Sequence, residues 1–147
     1  MEDEATSQTK RPLPPPPQVL ALNVCDGLWT DPWSGKKTLI GMFSIIQSQQ
    51  FPAFHPIITI HAALTNGRGK VMLKLRLVDT DEERPAIIDF EAPVEFPDPR
   101  AVMDFITGAT NIVFATAGEY RVQLLANGEF LSERRIIVVD TREPTNE

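Results

Sequence analysis

The segment GEYRVQLLANGEFLSERRIIVV, Gly118–Val139, decides the fold class. Two runs of alternating apolar and polar residues flank Asn127-Gly128. Asn-Gly is the strongest short hairpin signal, because a type I′ turn needs positive φ at both central positions. Tyr120, Val122 and Leu124 alternate on the first run, so the hairpin has one face to bury. An isolated hairpin is marginally stable at best, so this pair is predicted to belong to a larger sheet.

Strand patterns continue through most of Gln18–Asp140, the predicted domain. The cleanest is Gly69–Val78, where aliphatic residues at 71, 73, 75 and 77 alternate with longer or charged ones. Asp26–Lys36 and the FPAFHP segment at 51–56 are predicted to be loops, since both are rich in turn formers or proline. The other predicted strands are Gln18–Cys25 with Leu20, Leu22 and Val24 on one face; Lys37–Ile46 with Leu39, Gly41, Phe43 and Ile45 on one face; Ile57–Leu64; and Ile87–Phe96.

Two stretches leave local alternatives open. Pro93 interrupts the strand before Phe96, which indicates an edge strand or a bulge. Ala101–Phe114 is predicted to be mostly strand, although its first six residues also suit a short helical turn.

Seven to nine short strands with frequent turn signals predict an all-β fold, an antiparallel β-sandwich of the immunoglobulin-like type. Tyr120 lies where the penultimate strand of such a sandwich begins, and a packing or corner role is expected for it.

Both ends of the chain are predicted to be disordered tails. Residues 1–17 are polar and end in four prolines, which favour an extended polyproline spacer. Arg11–Pro17 also matches the spacing of polyproline ligands, but such matches are common by chance, and we favour a spacer. Residues 141–147 are polar, contain Pro144, and are expected to fray.

Composition bounds the class of protein. At 147 residues the chain suits one domain, and its net charge of −6 is not offset by any basic stripe. We therefore expect no binding to nucleic acid or to a membrane. The N-terminus lacks an apolar signal region and no apolar run is long enough to span a bilayer, so a cytoplasmic location is predicted. A homo-oligomer is compatible with the sequence.

Few residues could carry chemistry. With one cysteine, Cys25, and two histidines, His55 and His61, a zinc site would need carboxylates to complete it, and surface or interface histidines are favoured. Cys25 has no surrounding pattern of a reactive thiol, so a structural role is expected. No cofactor, metal or catalytic motif stands out, and the chain is predicted not to be an enzyme.

The acidic run at residues 79–83 is the densest cluster of carboxylates. It could ligate Ca²⁺, but it lacks the spacing and glycine of an EF-hand, and a solvated turn is favoured. An enzyme assembled from distant loops, with Asp26, Asp79 and His55, is the least favoured functional hypothesis, because a usable site needs convergent groups in a pocket.

Trp29 and Trp33 lie in the segment LWTDPWSGKK, whose turn residues predict that the two rings are not both deeply buried. Exposed tryptophans are typical anchors of protein interfaces and can also stack on sugar rings. The alternative is that one or both rings fold back and cap an open end of the sandwich.

Several segments together resemble a family of small, uncharacterised bacterial proteins known as a domain of unknown function. They are LALNVCD at 20–26, GKKTLIGMF at 35–43, Phe51-Pro52, LRLVD at 75–79 and the GEY hairpin at 118–120. The resemblance spans most of Val19–Val139 and implies a β-sandwich. It implies no activity and no site residues, and the Trp loop and the proline-rich tail look like additions to the family pattern.

These observations predict a non-enzymatic interaction or accessory module of a bacterial cytoplasmic protein, with a protein partner. The alternative is a small-ligand or carbohydrate-binding module that uses Trp29 and Trp33.

Overall fold

The computed structural model describes residues 15–81 and 83–142. Within them, nine strands carry the fold, a number within the predicted range. The strands are β1 (Gln18–Thr30), β2 (Lys37–Met42), β3 (Ile45–Ser48), β4 (Ala53–Thr65), β5 (Gly69–Asp79), β6 (Ile88–Phe96), β7 (Met103–Phe114), β8 (Gly118–Ala126) and β9 (Glu129–Asp140).

The strands form two sheets. Sheet A has the order β2-β1-β4-β7, and sheet B has the order β3-β9-β8-β5-β6. Neighbouring strands pair antiparallel, except that β3 pairs parallel with β9. A parallel pair needs a longer connection than a hairpin, and β3 and β9 are joined through the five strands β4 to β8. The prediction of an all-β fold with antiparallel pairing is therefore confirmed, with one parallel pair added.

One hydrophobic cluster is shared by the two sheets. The alternation predicted for β5 and β8 is confirmed, since one face of each strand is buried in this cluster. The fully buried members come from both sheets: Val24, Ile58, Ala62, Leu64 and Phe114 from sheet A, and Leu73, Leu75, Leu77, Val122, Leu124 and Ile136 from sheet B.

The β8–β9 hairpin closes as predicted. Asn127 and Gly128 both have positive φ, 49° and 83°, as a type I′ turn requires. The Asn127 side chain also accepts a hydrogen bond from the backbone N–H of Met72 at 2.9 Å, which ties this turn to β5.

Tyr120 makes the corner contact expected from its position. Its hydroxyl donates a 2.6 Å hydrogen bond to the backbone carbonyl of Thr116, four residues upstream. Its ring packs edge-on against Phe114, with centroids 4.8 Å apart. The residue therefore links the end of β7 to the start of β8.

We predict that Tyr120→Phe lowers the free energy of unfolding by about 1–2 kcal/mol, because it leaves the Thr116 carbonyl unpaired while keeping the ring packing. Urea denaturation measures this difference. The matched control is Phe130→Leu, a change in an exposed ring, which should alter stability by under about 0.5 kcal/mol. Equal stability of the Tyr120→Phe variant and the parent would contradict the corner role.

The first strand differs from its prediction. Register shifts between Val19 and Ala21, so Leu20 is half exposed and does not share the buried face of Leu22 and Val24. The extra residue of a bulge turns the preceding side chains to the opposite face. The strand also continues to Thr30, so the predicted loop at 26–36 shortens to residues 31–36.

The predicted single strand Lys37–Ile46 was wrong. It is two strands, β2 in sheet A and β3 in sheet B, and the chain crosses between the sheets at Phe43 and Ser44. Gly41 has φ +67°, which ends the regular alternation before the crossing. As a result Ile45 is exposed and Ile46 is buried, opposite to the predicted face.

The predicted loop at 51–56 was also partly wrong. β4 begins at Ala53 and includes His55 and Pro56. Pro56 is tolerated because β1 pairs with β4 only from Thr59 onward, and the register with β7 passes over Pro56 itself.

The remaining local alternatives are resolved. Residues 103–114 form strand β7, so the strand interpretation is confirmed. Pro93 lies within β6, which is continuous and forms an edge of sheet B. The edge position is confirmed. The predicted break in the strand was wrong, because a proline on an edge strand does not need a backbone N–H that pairs with a neighbouring strand.

Most of both predicted tails, residues 1–14 and 143–147, lies outside the described residues; Pro17 is buried.

Candidate interaction surface

Residues 26–42 form a two-stranded ribbon that leaves sheet A. The pairing of β1 with β4 ends at Cys25–Thr59, whereas the pairing of β1 with β2 runs on to Thr30–Lys37. From Asp26 onward, β1 therefore pairs as a strand only with β2. We call residues 26–42 the β1–β2 ribbon.

The ribbon crosses the outer face of sheet A, the face turned away from the core. Lys37 Nζ lies 3.6 Å from the Asp104 carboxylate on β7, and Asp26 Oδ1 lies 3.8 Å from His55 Nε2 on β4. Because β4 lies between β1 and β7 in the sheet, Lys37 can reach Asp104 only by passing over β4. Thr59 points outward from β4, yet it is buried, as expected beneath such a cover.

The two faces of the ribbon differ. Leu28 pairs with Leu39, shares the face of Lys37, and is half-buried together with its partner. The opposite face carries Trp29 and Ile40, since Trp29 pairs with Thr38 and the neighbouring pair joins Gly27 to Ile40. Trp29 is 53% exposed and Ile40 is 51% exposed. The solvent face of the ribbon is therefore apolar.

Two further apolar side chains extend this surface. Met42, at the base of β2, is 54% exposed, and Trp33, in the loop at the tip, is 93% exposed. Single exposed apolar residues are common on protein surfaces and need no explanation. Four large exposed apolar residues within one short hairpin indicate an interaction site. We define the ribbon surface as Trp29, Trp33, Ile40 and Met42.

The loop that presents Trp33 is held by its own hydrogen bonds. The Asp31 carboxylate accepts from the Ser34 hydroxyl at 2.7 Å and from the Trp33 backbone N–H at 3.1 Å. These hydrogen bonds, the one from Ser34 first, lower the pKa of Asp31. Gly35 closes the turn with φ +73° and donates its backbone N–H to the Asp31 carbonyl at 2.8 Å. Trp33 is thus presented by a loop with a defined conformation.

A chain of polar contacts lies beneath the ribbon. Arg134 on β9 donates to the Asn23 side-chain oxygen at 3.3 Å, and the Asn23 amide nitrogen lies 3.3 Å from His61 Nδ1. His61 Nε2 lies 2.8 Å from Asp104 Oδ1, and the second oxygen of Asp104 faces Lys37. The His61 side chain is 12% exposed. Both of its ring nitrogens are engaged, so neither offers a free lone pair to a metal ion.

His61 lies on the face of β4 opposite the buried side chains of Ile58, Ile60 and Ala62. His55 was placed in a loop, which was wrong, because it belongs to β4 beneath the base of the ribbon. Its ring centroid lies 5.3 Å from that of Phe43, and its Nε2 is buried with no hydrogen-bond partner among the described residues.

The groups named for a hypothetical enzyme are only partly brought together. Asp26 and His55 are neighbours, but Asp79 belongs to sheet B, where it lines an open cleft with Thr80, Arg84 and Glu119. Asp79 is paired with Arg84 at 3.7 Å and accepts a hydrogen bond from the Glu83 backbone N–H.

Cys25 is buried, and burial raises the pKa of its thiol, which disfavours the reactive thiolate.

The described carboxylates of the acidic loop do not converge. Across residues 15–81 and 83–142, no three His, Cys, Asp or Glu side chains come together as a metal ion would require. Glu119, beside the same cleft, is occupied by Arg121 at 3.0 Å, and the hydrogen bond from Arg121 lowers its pKa. The described part of the chain also contains no helix long and apolar enough to cross a bilayer.

Sequence reasoning found Trp29 and Trp33 but missed Ile40 and Met42. The prediction joined β2 to the following residues in one continuous strand through Ile46, so the exposure of Ile40 and Met42 was not predicted. Gly41, between them, was the available signal, because a glycine inside a strand marks a bulge or a close approach. A Cβ at Gly41 would lie 2.6 Å from the Asp26 carboxylate, so this glycine makes room for Asp26 at the base of the ribbon.

Fold and surface together define a small all-β domain of two sheets that carries an exposed ribbon. A family model described as "Family of unknown function (DUF6941)" matches residues 20–139, and the chain belongs to this family. The resemblance drawn from the sequence is thereby confirmed. Comparison with curated proteins finds no match.

Among solved structures, the chain is similar to Pseudomonas fluorescens alkylpurine DNA glycosylase AlkC bound to DNA containing an abasic site analog. The two share 13% identity with a TM-score of 0.39, and the alignment covers 83% of this chain. The chain spans only 30% of the length of that protein.

Proposed function

We propose that this chain is a non-enzymatic protein-interaction module of the bacterial cytoplasm, and that the ribbon surface is where its partner binds. The observation that supports this most is the apolar solvent face of the ribbon. Trp29, Ile40, Met42 and Trp33 are each at least half exposed on one hairpin. Tryptophan is enriched among the residues that carry most of the binding energy in protein interfaces.

We further propose that the two sheets form an immunoglobulin-like sandwich. Supporting features are the pairing of β4 with β7 in one sheet and the order β9-β8-β5-β6 in the other. The parallel β3–β9 pair and the Tyr120 hydroxyl bonded back to Thr116 agree with this assignment. In that fold a tyrosine near the start of the penultimate strand makes the same kind of corner bond.

The non-enzymatic part of the proposal is supported by how the reactive groups are used. His61 is held between Asn23 and Asp104, and Asp79 is paired with Arg84. The Cys25 thiol is buried and donates to the Gly27 carbonyl at 3.2 Å. Each of these groups already serves a neighbour within the fold, as expected of structural polar residues.

Co-purification from the native host tests the partner surface. The tagged full chain should recover a reproducible protein partner, and the double change Trp29→Ala with Ile40→Ala should reduce that recovery about tenfold or more, since one strong anchor alone is worth about 2 kcal/mol.

The matched control is Phe130→Ala, which removes an equally exposed ring on the β8–β9 hairpin of sheet B and should leave recovery unchanged. Full recovery by the ribbon variant, or no reproducible partner for the parent chain, would contradict the proposal. Circular dichroism of each variant verifies that the fold is retained.

A second candidate function is binding of a carbohydrate through Trp29 and Trp33. The observation that favours it is the Trp33 ring, which is 93% exposed on a loop fixed by Asp31. A rigid, open indole can stack on the apolar face of a sugar. Titration with a glycan panel should quench tryptophan fluorescence in the parent and less in Trp33→Ala, and a flat response throughout would remove this candidate.

A further inference from the structure

We infer that the free edge of β7 is a second docking site, at which an extended, basic segment of another protein adds one strand to sheet A. β7 is the last strand of that sheet, and its outer edge has no neighbour among the described strands. Such an edge presents backbone N–H and C=O groups with which an incoming strand can pair. The site is separate from the ribbon surface, so the inference goes beyond the proposed function.

The other outer strands of the two sheets each carry a feature that hinders pairing with a foreign strand. β2 has Lys37 at one end and the positive φ of Gly41 near the other, β3 has only the four residues Ile45–Ser48, and β6 contains Pro93. Short length, lysine, proline and local distortion are the usual means of protecting a sheet edge. β7 is twelve residues long, and residues 103–110 contain no lysine, no proline and no positive φ. This edge is therefore open to pairing.

The backbone groups that β7 offers follow from the pairing of its neighbours. The Val24 carbonyl accepts the N–H of Phe43, just beyond β2, at 3.1 Å, so Val24 directs its backbone groups toward β2. Its register partner Ile60 on β4 then faces β7, and Thr107, the partner of Ile60, faces β4. Because successive residues face opposite sides of a strand, the outward N–H and C=O groups of β7 belong to residues 104, 106, 108 and 110.

The inner side of this edge exposes an apolar side chain that an added strand would cover. Phe90 on β6 is the register partner of Leu75, which is fully buried, so Phe90 faces inward from sheet B. It is nevertheless 41% exposed, and its ring centroid lies 6.3 Å from that of Phe105 on β7. The two sheets are thus open between β6 and β7. A strand beside β7 would place every second side chain on this inner side, where burial favours apolar residues.

The charges around the open side are acidic, which indicates the chemistry of the partner strand. Neither β6 nor β7 contains a lysine or an arginine, whereas β6 carries Asp89, Glu91 and Glu95, and β7 carries Asp104. Asp89 and Asp104 each face one lysine from another strand at 3.6 Å. Charge complementarity therefore favours lysine or arginine among the polar residues of the incoming strand. It disfavours a second copy of this chain, whose net charge is −6.

Calorimetric titration of the purified full chain with a synthetic peptide tests the inference. The probe is a ten-residue peptide with blocked ends that alternates valine with threonine and lysine, so that it offers one apolar and one basic face. The parent should bind this peptide, and replacing the lysines of the peptide with glutamate should weaken binding about tenfold or more. No binding of the lysine peptide, or equal binding of both peptides, would overturn the inference.

A matched pair of changes at Gly108 tests the edge itself. Gly108→Pro removes an outward N–H and leaves the bonds to β4 in place, and a Cβ here makes only ordinary contacts, the nearest at 3.6 Å from the Ile58 carbonyl oxygen. Gly108→Ala also adds a side chain but keeps the N–H. The proline variant should bind the lysine peptide about fivefold or more weakly than the alanine variant. Equal binding by the two folded variants would overturn the inference.

Amide exchange measured by NMR on the parent chain gives a readout that needs no variant. With the lysine peptide bound, the outward amides of residues 106, 108 and 110 should exchange more slowly, while those of 105, 107 and 109, which face β4, should change little. Exchange at 106, 108 and 110 that the peptide leaves unchanged would overturn the inference.

Sedimentation of the parent distinguishes a partner strand from a second copy. A dimer that Gly108→Pro dissociates would show that a second copy occupies the edge, and would overturn the inference; we expect no self-association through β7. The peptide titration contains no native partner, and the Trp29→Ala with Ile40→Ala variant should bind the peptide as the parent does. Failure of this inference is therefore distinct from failure of the co-purification experiment.

Discussion

Replacing Leu73 with aspartate should prevent the protein from folding. Leu73 is fully buried on β5, between β6 and β8, within the cluster shared by both sheets. The change removes about 1.5–3 kcal/mol of apolar burial and places a carboxylate where it has no partner, which costs several kcal/mol more. The sum is comparable to the whole stability of a typical domain, about 5–15 kcal/mol. Far-ultraviolet circular dichroism and a thermal melt measure the result.

The matched control is Met72→Asp, one residue earlier on the same strand. Met72 points to the opposite face and is partly exposed, so its carboxylate can stay hydrated. This variant should keep a cooperative melt close to that of the parent. Cooperative unfolding of Leu73→Asp near the parent midpoint would show that the assigned register of β5 is wrong.

Phe114→Ala should lower the free energy of unfolding by about 3–5 kcal/mol, the range for truncating a buried aromatic ring. Phe114 is fully buried at the end of β7 and packs edge-on against Tyr120. The loss therefore combines lost burial, a cavity and a broken aromatic pair. Urea denaturation of the two proteins gives the difference directly.

Phe54→Ala is the control for this change, because Phe54 pairs with the residue next to Phe114 but is exposed. Its removal should change stability by about 0.5 kcal/mol or less. If both variants lost the same amount, the division of sheet A into a buried and an open face would be wrong.

Local alternation predicted the strands that bury one face against a common core. For β5 and β8 the predicted faces are the observed ones, because every second side chain meets the same cluster. The Asn127-Gly128 turn was predictable for a related reason, since its conformational demand is met by those two residues themselves. Such features depend only on neighbours in sequence.

The ribbon could not be predicted in the same way. The residues from Asp26 to Thr30 lie among turn formers, yet they continue β1 because β2 pairs with them. The ribbon meets β7 where Lys37 contacts Asp104, and Asp104 in turn contacts His61, 43 residues away. No local pattern specifies contacts between residues so far apart in sequence. Ile40 and Met42 were therefore placed in one continuous strand, and their exposure was not predicted.

The outer edge of β2 is consistent with a surface that is kept available. β2 is the last strand of sheet A, and its outer edge has no neighbour among the described strands. Lys37 at one end and the positive φ of Gly41 at the other interrupt that edge. Charges and local distortions of this kind discourage indiscriminate pairing with other strands. A specific partner would then contact the apolar face of the ribbon more readily than its edge.

Hydrogen–deuterium exchange of the purified complex with its captured partner shows whether the ribbon surface is the binding surface. Protection on binding should be concentrated in residues 27–42, while the β8–β9 hairpin at 126–131 should exchange at the rate of the free chain. Protection confined to sheet B, with the ribbon exchanging as in the free protein, would contradict the assignment of Trp29, Trp33, Ile40 and Met42 as the binding surface.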